Sequence, residues 1–221
     1  MKIGFLIADV NEFEPLKQRA QKIDTVYKMT RAQFNVKNNE VSALCCGVGK
    51  VNAALGATVL AMQGAQAIFS VGYSGGIAFV ERGDTVVGTN FIEHDFDLTP
   101  LGYKRGQKPS EPLFYNADKK LNDIIFSVFP DIKKGVMVCG DCFVCDDLLK
   151  TELKLEYSAT ACDMETAAAA AVCYKFDIPF VAIRRISDDA GDNADVLYKK
   201  AKTKYEELLM DMALKVVENI G

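Results

Sequence analysis

Short apolar runs alternate with helical stretches along the chain, and that alternation leaves few folds open. The runs "KIGFLIA" (2–8), "AIFSVG" (67–72), "DTVVGTNFIEHD" (84–95), "KKGVMVCG" (133–140) and "PFVAIRRIS" (179–187) have the length and β-branched content of buried strands. Between them lie segments with helical periodicity: 16–23, with Pro15 in its first turn, then 51–63, "NADKKLNDIIFSVF" with an Asn cap, "DDLLKTELKLEY", "METAAAAAVCYKF" and 196–218. Strands that alternate with helices predict a layered α/β fold around a mostly parallel or mixed sheet. The stretch 25–46, broken by the turn-forming "KNNE", predicts two or three antiparallel strands within it. The "YSGG" after residue 72 reads as a glycine-rich turn, and 98–113 as a long irregular loop. Alanine on several faces of 164–176 requires close packing against something large.

A chain of 221 residues suits one domain, expected to span 1–221. Its 49% hydrophobic and 25% charged residues are those of a globular protein. With a formal charge of -4 and no basic stripe, nothing favours nucleic acid as a partner. Cys139, Cys142 and Cys145 have spacings that metal sites use, but no second cysteine pair accompanies them and His94 is the only histidine, so packed, reduced thiols are the expectation and no metal is. An odd cysteine count and a start without a secretory leader point to the cytoplasm. The run 51–69 comes near a membrane span in length, but Asn52, Gln63, Gln66 and its glycines interrupt it, so no membrane association is expected.

Ligands of open α/β sheets bind beyond the carboxyl ends of strands. That rule gathers Asp9 and Glu12, residues 47–50, 73–76, His94 and Asp95, 140–143, Asp163 to Glu165 and 187–189, a set rich in carboxylates and poor in lysine. "GVGKVNAALG" lacks the spacing of a phosphate-binding loop, and its glycines read more simply as close helix packing. Glu165 could equally be a helix-start acid, Asp188 and Asp189 a cap or solvated turn, and Glu12 an exposed acid of a first turn. Pattern alone therefore gives an α/β protein with an acidic pocket and no reaction type.

Read in order, "MKIGFLIADVNEFEPL", "GVGKVNAALGAT", "VGYSGG", "HDFDLTPLGY", "GDCF", "DMETAAAAAVC" and "FVAIRRISDDA" resemble the nucleoside phosphorylase and hydrolase superfamily, and most closely its methylthioadenosine/S-adenosylhomocysteine nucleosidases. The resemblance implies a three-layer α/β/α fold with a mixed, partly barrel-like central sheet, and hydrolysis of the N-glycosidic bond of adenine nucleosides. It implies a homodimer whose partner residues approach the 5′ pocket, with nucleoside and water as the only other reactants and no cofactor. Asp188 would be the acid at purine N7 and Glu12 the base that activates water. Glu165 would hold the ribose hydroxyls, with Met164 under the sugar and Ser74 and Gly75 beside it. Phe143 would stack on the base, whose edge the backbone from Cys142 to Val144 would read, while Arg184 supports the acid's strand end. Asp9, Val48 and Tyr198 would form the 5′ pocket.

Differences from the phosphorylase branch, and two departures from the usual nucleosidase at Asp9 and over 191–201, sharpen the expectation. Ser70 stands where the phosphorylase branch carries an arginine for phosphate, and Asp9, Glu12 and Glu14 make the first loop acidic, so water is expected over phosphate as nucleophile. Asp9 also replaces an apolar residue of the 5′ pocket, and 191–201 offers Leu197 or Tyr198 in place of a sealing phenylalanine. An uncovered carboxylate in an apolar pocket costs roughly several kcal/mol. Methylthioadenosine is therefore expected to be handled less well than in typical relatives, with adenosine-like or S-adenosylhomocysteine-like nucleosides competing. The alternatives are a phosphate-dependent purine nucleoside phosphorylase and a non-catalytic nucleoside-binding protein.

Overall fold

The computed structural model describes residues 1–201 and 206–220. In chain order these form β1 (Lys2–Ile7), α1 (Val10–Gln18), β2 (Lys22–Val26), β3 (Met29–Val36), β4 (Asn39–Cys45), α2 (Lys50–Met62), β5 (Ala67–Gly76) and β6 (Thr85–Glu93). After the irregular loop come β7 (Tyr115–Asn116), α3 (Lys119–Val128), β8 (Lys133–Cys139), α4 (Asp147–Tyr157), β9 (Ala159–Asp163), α5 (Thr166–Phe176), β10 (Phe180–Asp188), α6 (Ala194–Ala201) and α7 (Glu206–Val217).

Side chains alternate across a strand, so a strand apolar on both faces needs two layers of cover. In β1, Ile3, Phe5 and Ile7 enter one core and Leu6 the other; β5 divides Phe69 and Val71 from Ile68 in the same way. Residues of α1, α3 and α7 complete the first core. Those of α2 and α5 complete the second, where a Cβ on Gly56 would come within 2.6 Å of Leu6 Cδ1. That close approach to the sheet suits the small residues of α2, and α5 packs against α2 in turn.

β5 is the hub of the sheet. It pairs in parallel with β1 and β10, and antiparallel with β9. Since β10 pairs with β6, β6 with β8 and β8 with β9, the strands β5, β10, β6, β8 and β9 close into a ring, while β1, β4, β3 and β2 extend from β5 as an open wing. Closure leaves the ring strands no free edge. Residues at or just past the ends of β5, β8, β9 and β10 line one cleft.

Several local readings are corrected. "YSGG" is strand, because Gly75 and Gly76 pair with Cys162 and Ala161 of β9. The strand β9 itself was not foreseen: five small residues carry little apolar signal, and their pairing comes from ring closure. α1 begins at Val10, capped by Asp9, so Pro15 lies inside it, where it withholds one backbone donor. Lys22 and Ile23 belong to β2. The cap of α3 is Asp118, with Asn116 paired in β7. The helix expected over 196–218 is described as α6 and α7, and its residues 202–205 lie outside the described residues. Among the described residues no helix is long and apolar enough to cross a membrane.

Candidate active site

Every residue to which the resemblance assigns a role lines one cleft of about 740 Å³, mouth included. Asp9 and Glu12 come from the end of β1 and the first turn of α1, and Val48 from the loop before α2. Ser74 and Gly75 end β5. Cys142, Phe143 and Val144 follow β8, Met164 and Glu165 follow β9, Arg184 and Asp188 sit on β10, and Tyr198 stands on α6. Ala8, Tyr73, Cys162, Asp163 and Ser187 line it too. Of these, Ala8 and Cys162 went unnoticed in the sequence, and the other three were gathered by the strand-end rule without a role. Asp189 is exposed, and His94 lies outside the cleft, buried beneath Gly140 with Nε2 3.9 Å from Cys142 Sγ.

Arg184 organises the floor. Only 2% exposed, it donates through Nε to Asp163 Oδ2 (3.0 Å) and through Nη2 to Ser70 Oγ (3.0 Å), and lies 3.8 Å from Glu165 Oε2. Asp163 Oδ1 accepts from Glu165 N, Thr166 N and Thr166 Oγ1, so this one carboxylate both starts α5 and anchors the guanidinium. An aspartate three residues before a threonine at the head of an apolar run has helix-start spacing, the signal that could have given Asp163 a role. Glycine at 72 makes the crossing possible: a Cβ there would lie 2.7 Å from both Arg184 Nη1 and Glu12 Oε2.

Glu12, Asp163 and Glu165 share this one cation, and burial makes Glu12, Glu165 and, at the end of β10, Asp188 hold their protons more tightly. Burial pushes the Glu12 carboxyl up to about 8, against the pull of Arg184 and a hydrogen bond from Tyr73 N to Oε1 (3.0 Å). Glu165 is raised by burial and by Asp163, although its Oε1 accepts from Gly49 N at 3.0 Å. Asp188 is raised by burial, against hydrogen bonds from Ser187 Oγ (2.7 Å) and Ala190 N (2.9 Å). Neighbours on a regular strand point to opposite faces, but the β5–β10 register slips between Ile186 and Asp188, and this bulge lets the Ser187 hydroxyl meet the next carboxyl.

Glu12 and Asp188 enter from different elements, α1 and the end of β10, with the Glu165 carboxyl also in the lining and the exposed aromatic face of Phe143 beside them. Tyr198 meets Phe143 edge-on, ring centroids 5.6 Å apart. Asp9 serves as the cap of α1, its Oδ1 accepting from Asn11 N and Nδ2 at 2.8 Å each. A cleft with a proton-holding carboxyl at one wall and a strongly basic carboxyl at another can donate to a leaving group and accept from a nucleophile.

The model of the Phosphorylase superfamily matches residues 2–218. Among curated proteins, the chain is 34% identical to the 5′-methylthioadenosine/S-adenosylhomocysteine nucleosidase of Halalkalibacterium halodurans, covering 100% of this chain and 99% of that protein. It is 30% identical to the aminodeoxyfutalosine nucleosidase of Campylobacter jejuni, covering 100% of both. Among solved structures, the S-adenosylhomocysteine nucleosidase of Streptococcus pyogenes in complex with 5-methylthiotubericidin superposes with a TM-score of 0.95 at 27% identity, covering 100% of this chain and 98% of that one.

Proposed function

The chain belongs to the phosphorylase superfamily, and from that premise we propose that it hydrolyses the N-glycosidic bond of adenine nucleosides, releasing adenine and the ribosyl product. One observation carries the reading: two buried carboxyl groups with raised proton affinity, Asp188 and Glu12, line one cleft together with a third, Glu165.

Cleavage of this bond builds negative charge on the departing base and positive charge on the ribose. Asp188 holds its proton and gives it to purine N7, which neutralises the leaving group. Glu12 takes a proton from the attacking water. A base that titrates near 8 is strong once ionised, though largely protonated at neutral pH in the empty cleft. Glu165 holds the ribose 2′ and 3′ hydroxyls, and its charge favours an oxocarbenium-like sugar. Met164 packs under the sugar, Ser74 and Gly75 flank it, Phe143 stacks on the base, and the backbone from Cys142 to Val144 reads the base edge. Val48, Asp9 and Tyr198 surround the 5′ substituent. Asp9, with its Oδ1 engaged in the cap of α1, brings a polar side chain to this end, which favours hydroxyl- or amine-bearing substituents over an alkylthio group.

Water is the nucleophile in this reading because Arg184 is the only cation lining the cleft among the described residues, and it is already engaged by Asp163 and Ser70. Phosphate would need a freer cation. The seven cysteines are all free, in keeping with a reducing cytoplasm. Val51, Leu55 and Met62 expose an apolar stripe on α2 close to Val48, which supports a homodimer with the partner near the 5′ pocket.

The test is an adenine-release assay on 5′-methylthioadenosine, S-adenosylhomocysteine and adenosine, with and without phosphate. Free ribosyl product in both conditions is expected, and a phosphate-dependent sugar phosphate would make the protein a phosphorylase. Asp188→Asn is expected to lower kcat by about 10²–10⁴-fold with the circular dichroism spectrum unchanged. Activity within a few-fold of wild type would remove Asp188 as the acid, and binding without adenine release by wild type would leave a nucleoside-binding protein.

A further inference from the structure

Helix α2 starts without a side-chain cap of its own: Gly49 stands at its N-cap with φ +99°. Its first two amides are served by carboxylates from elsewhere. Gly49 N donates to Glu165 Oε1 (3.0 Å), and Lys50 N donates to Asp141 Oδ1 (2.8 Å). Asp141 in turn donates its backbone N–H to Asp95 Oδ2 (2.9 Å), and Asp95 Oδ1 receives Lys50 Nζ (2.7 Å). Lys50, Asp141 and Asp95 thus close a ring of three hydrogen bonds, although Asp141 is itself exposed and outside the cleft lining.

The position of this ring matters. Asp141 immediately precedes Cys142, Phe143 and Val144, which line one wall of the cleft, while Glu165 lines another. Both hang from consecutive amides of one helix start, where backbone donors and the helix dipole hold carboxylates well. Gly49 suits the place twice, since its backbone conformation disfavours side chains and a Cβ there would lie 3.1 Å from Asp141 Oδ1.

We infer that Asp141 is a positioning residue that fixes the base-binding loop relative to the ribose-binding Glu165 by tying both to the start of α2. The inference rests on the nucleosidase reading above. Its expected signature is a loss of binding larger than the loss of turnover, because a loosened wall weakens contacts to the base while Asp188 and Glu12 stay held by β10 and α1.

The experiment compares wild type, Asp141→Ala and Asp141→Asn, using steady-state kinetics on 5′-methylthioadenosine and calorimetric titration with adenine. Asp141→Ala is expected to raise KM and the adenine Kd about tenfold while kcat falls less than about threefold. Asp141→Asn keeps the acceptor oxygen and is expected to restore both to within about twofold of wild type. Unchanged KM and Kd in Asp141→Ala overturn the inference, and so does Asp141→Asn behaving like Asp141→Ala. Should Asp141→Ala fail to fold, Asp95→Ala removes the acceptor of the Asp141 amide, and an unchanged adenine Kd there is equally fatal. A wild type that binds adenine yet releases none from nucleosides breaks only the hydrolytic reading, and the adenine Kd values still decide the role of Asp141.

Discussion

Glu12 shows how burial decides the behaviour of a residue whose type says little. Its spacing allowed an exposed acid in a first helical turn, but the fold places it against Arg184, Tyr73 and Gly72, where desolvation outweighs the attraction of the guanidinium. The sign of the resulting pH dependence follows. Between its ordinary value of 4.5 and about 8, the folded protein keeps a proton on Glu12 that the unfolded chain has released. The stabilisation this confers is complete below about 4.5 and is lost as pH rises through about 8. Wild type is therefore expected to lose melting temperature relative to Glu12→Gln as pH goes from 5 to 9. A difference in Tm that stays constant over that range would show that the folded carboxyl titrates normally. For Asp188 the sequence already showed an acid closing an apolar strand, but the Ser187 bulge beside it belongs to the pairing with β5 and has no local signature.

At the scale of elements, glycines in β5 carry more of the site than their place in the sequence suggested. "YSGG" looked like a turn because glycines usually mark one. In the ring they mark close approach instead: Gly72 passes Arg184 and Glu12, and a Cβ on Gly75 would stand 3.0 Å from Asp188 Oδ1 and from Cys162 Sγ. Gly72→Ala is expected to destabilise the fold by about 1–3 kcal/mol, since neither Arg184 nor Glu12 has room to retreat. It is also expected to reduce nucleosidase activity in step with the displacement of Glu12. Thermal unfolding together with the adenine-release assay checks this, and a variant with wild-type Tm and rate would mean that the crossing is slack. The alanine-rich α5 shows the reverse relation, for its composition alone demanded a close neighbour, and α2 is that neighbour.

For the whole molecule, the exposed stripe of Val51, Leu55 and Met62 on α2 begins three residues after Val48, which lines the cleft. Stable interfaces bury on the order of 1,600 Å² in total, more than a single helix face provides, so the surface around it should be included as well. Light scattering after size exclusion is expected to give twice the 24.2 kDa chain mass, and Leu55→Glu to shift it toward the monomer with a higher KM. A wild type that stays monomeric at micromolar concentration would remove the dimer from the functional reading.

The sequence by itself determined the layers, since apolar strands alternating with amphipathic and alanine-rich helices can be covered in few ways, and it determined which carboxylates end up beyond strand ends. What only the tertiary structure decided was the closing of β5, β10, β6, β8 and β9 into a ring, the sharing of one guanidinium among Glu12, Asp163 and Glu165, and the joining of the cleft's walls at the start of α2. Those depend on distances between residues far apart in the chain. Burial and electrostatic coupling are properties of such distances, and no local pattern encodes them.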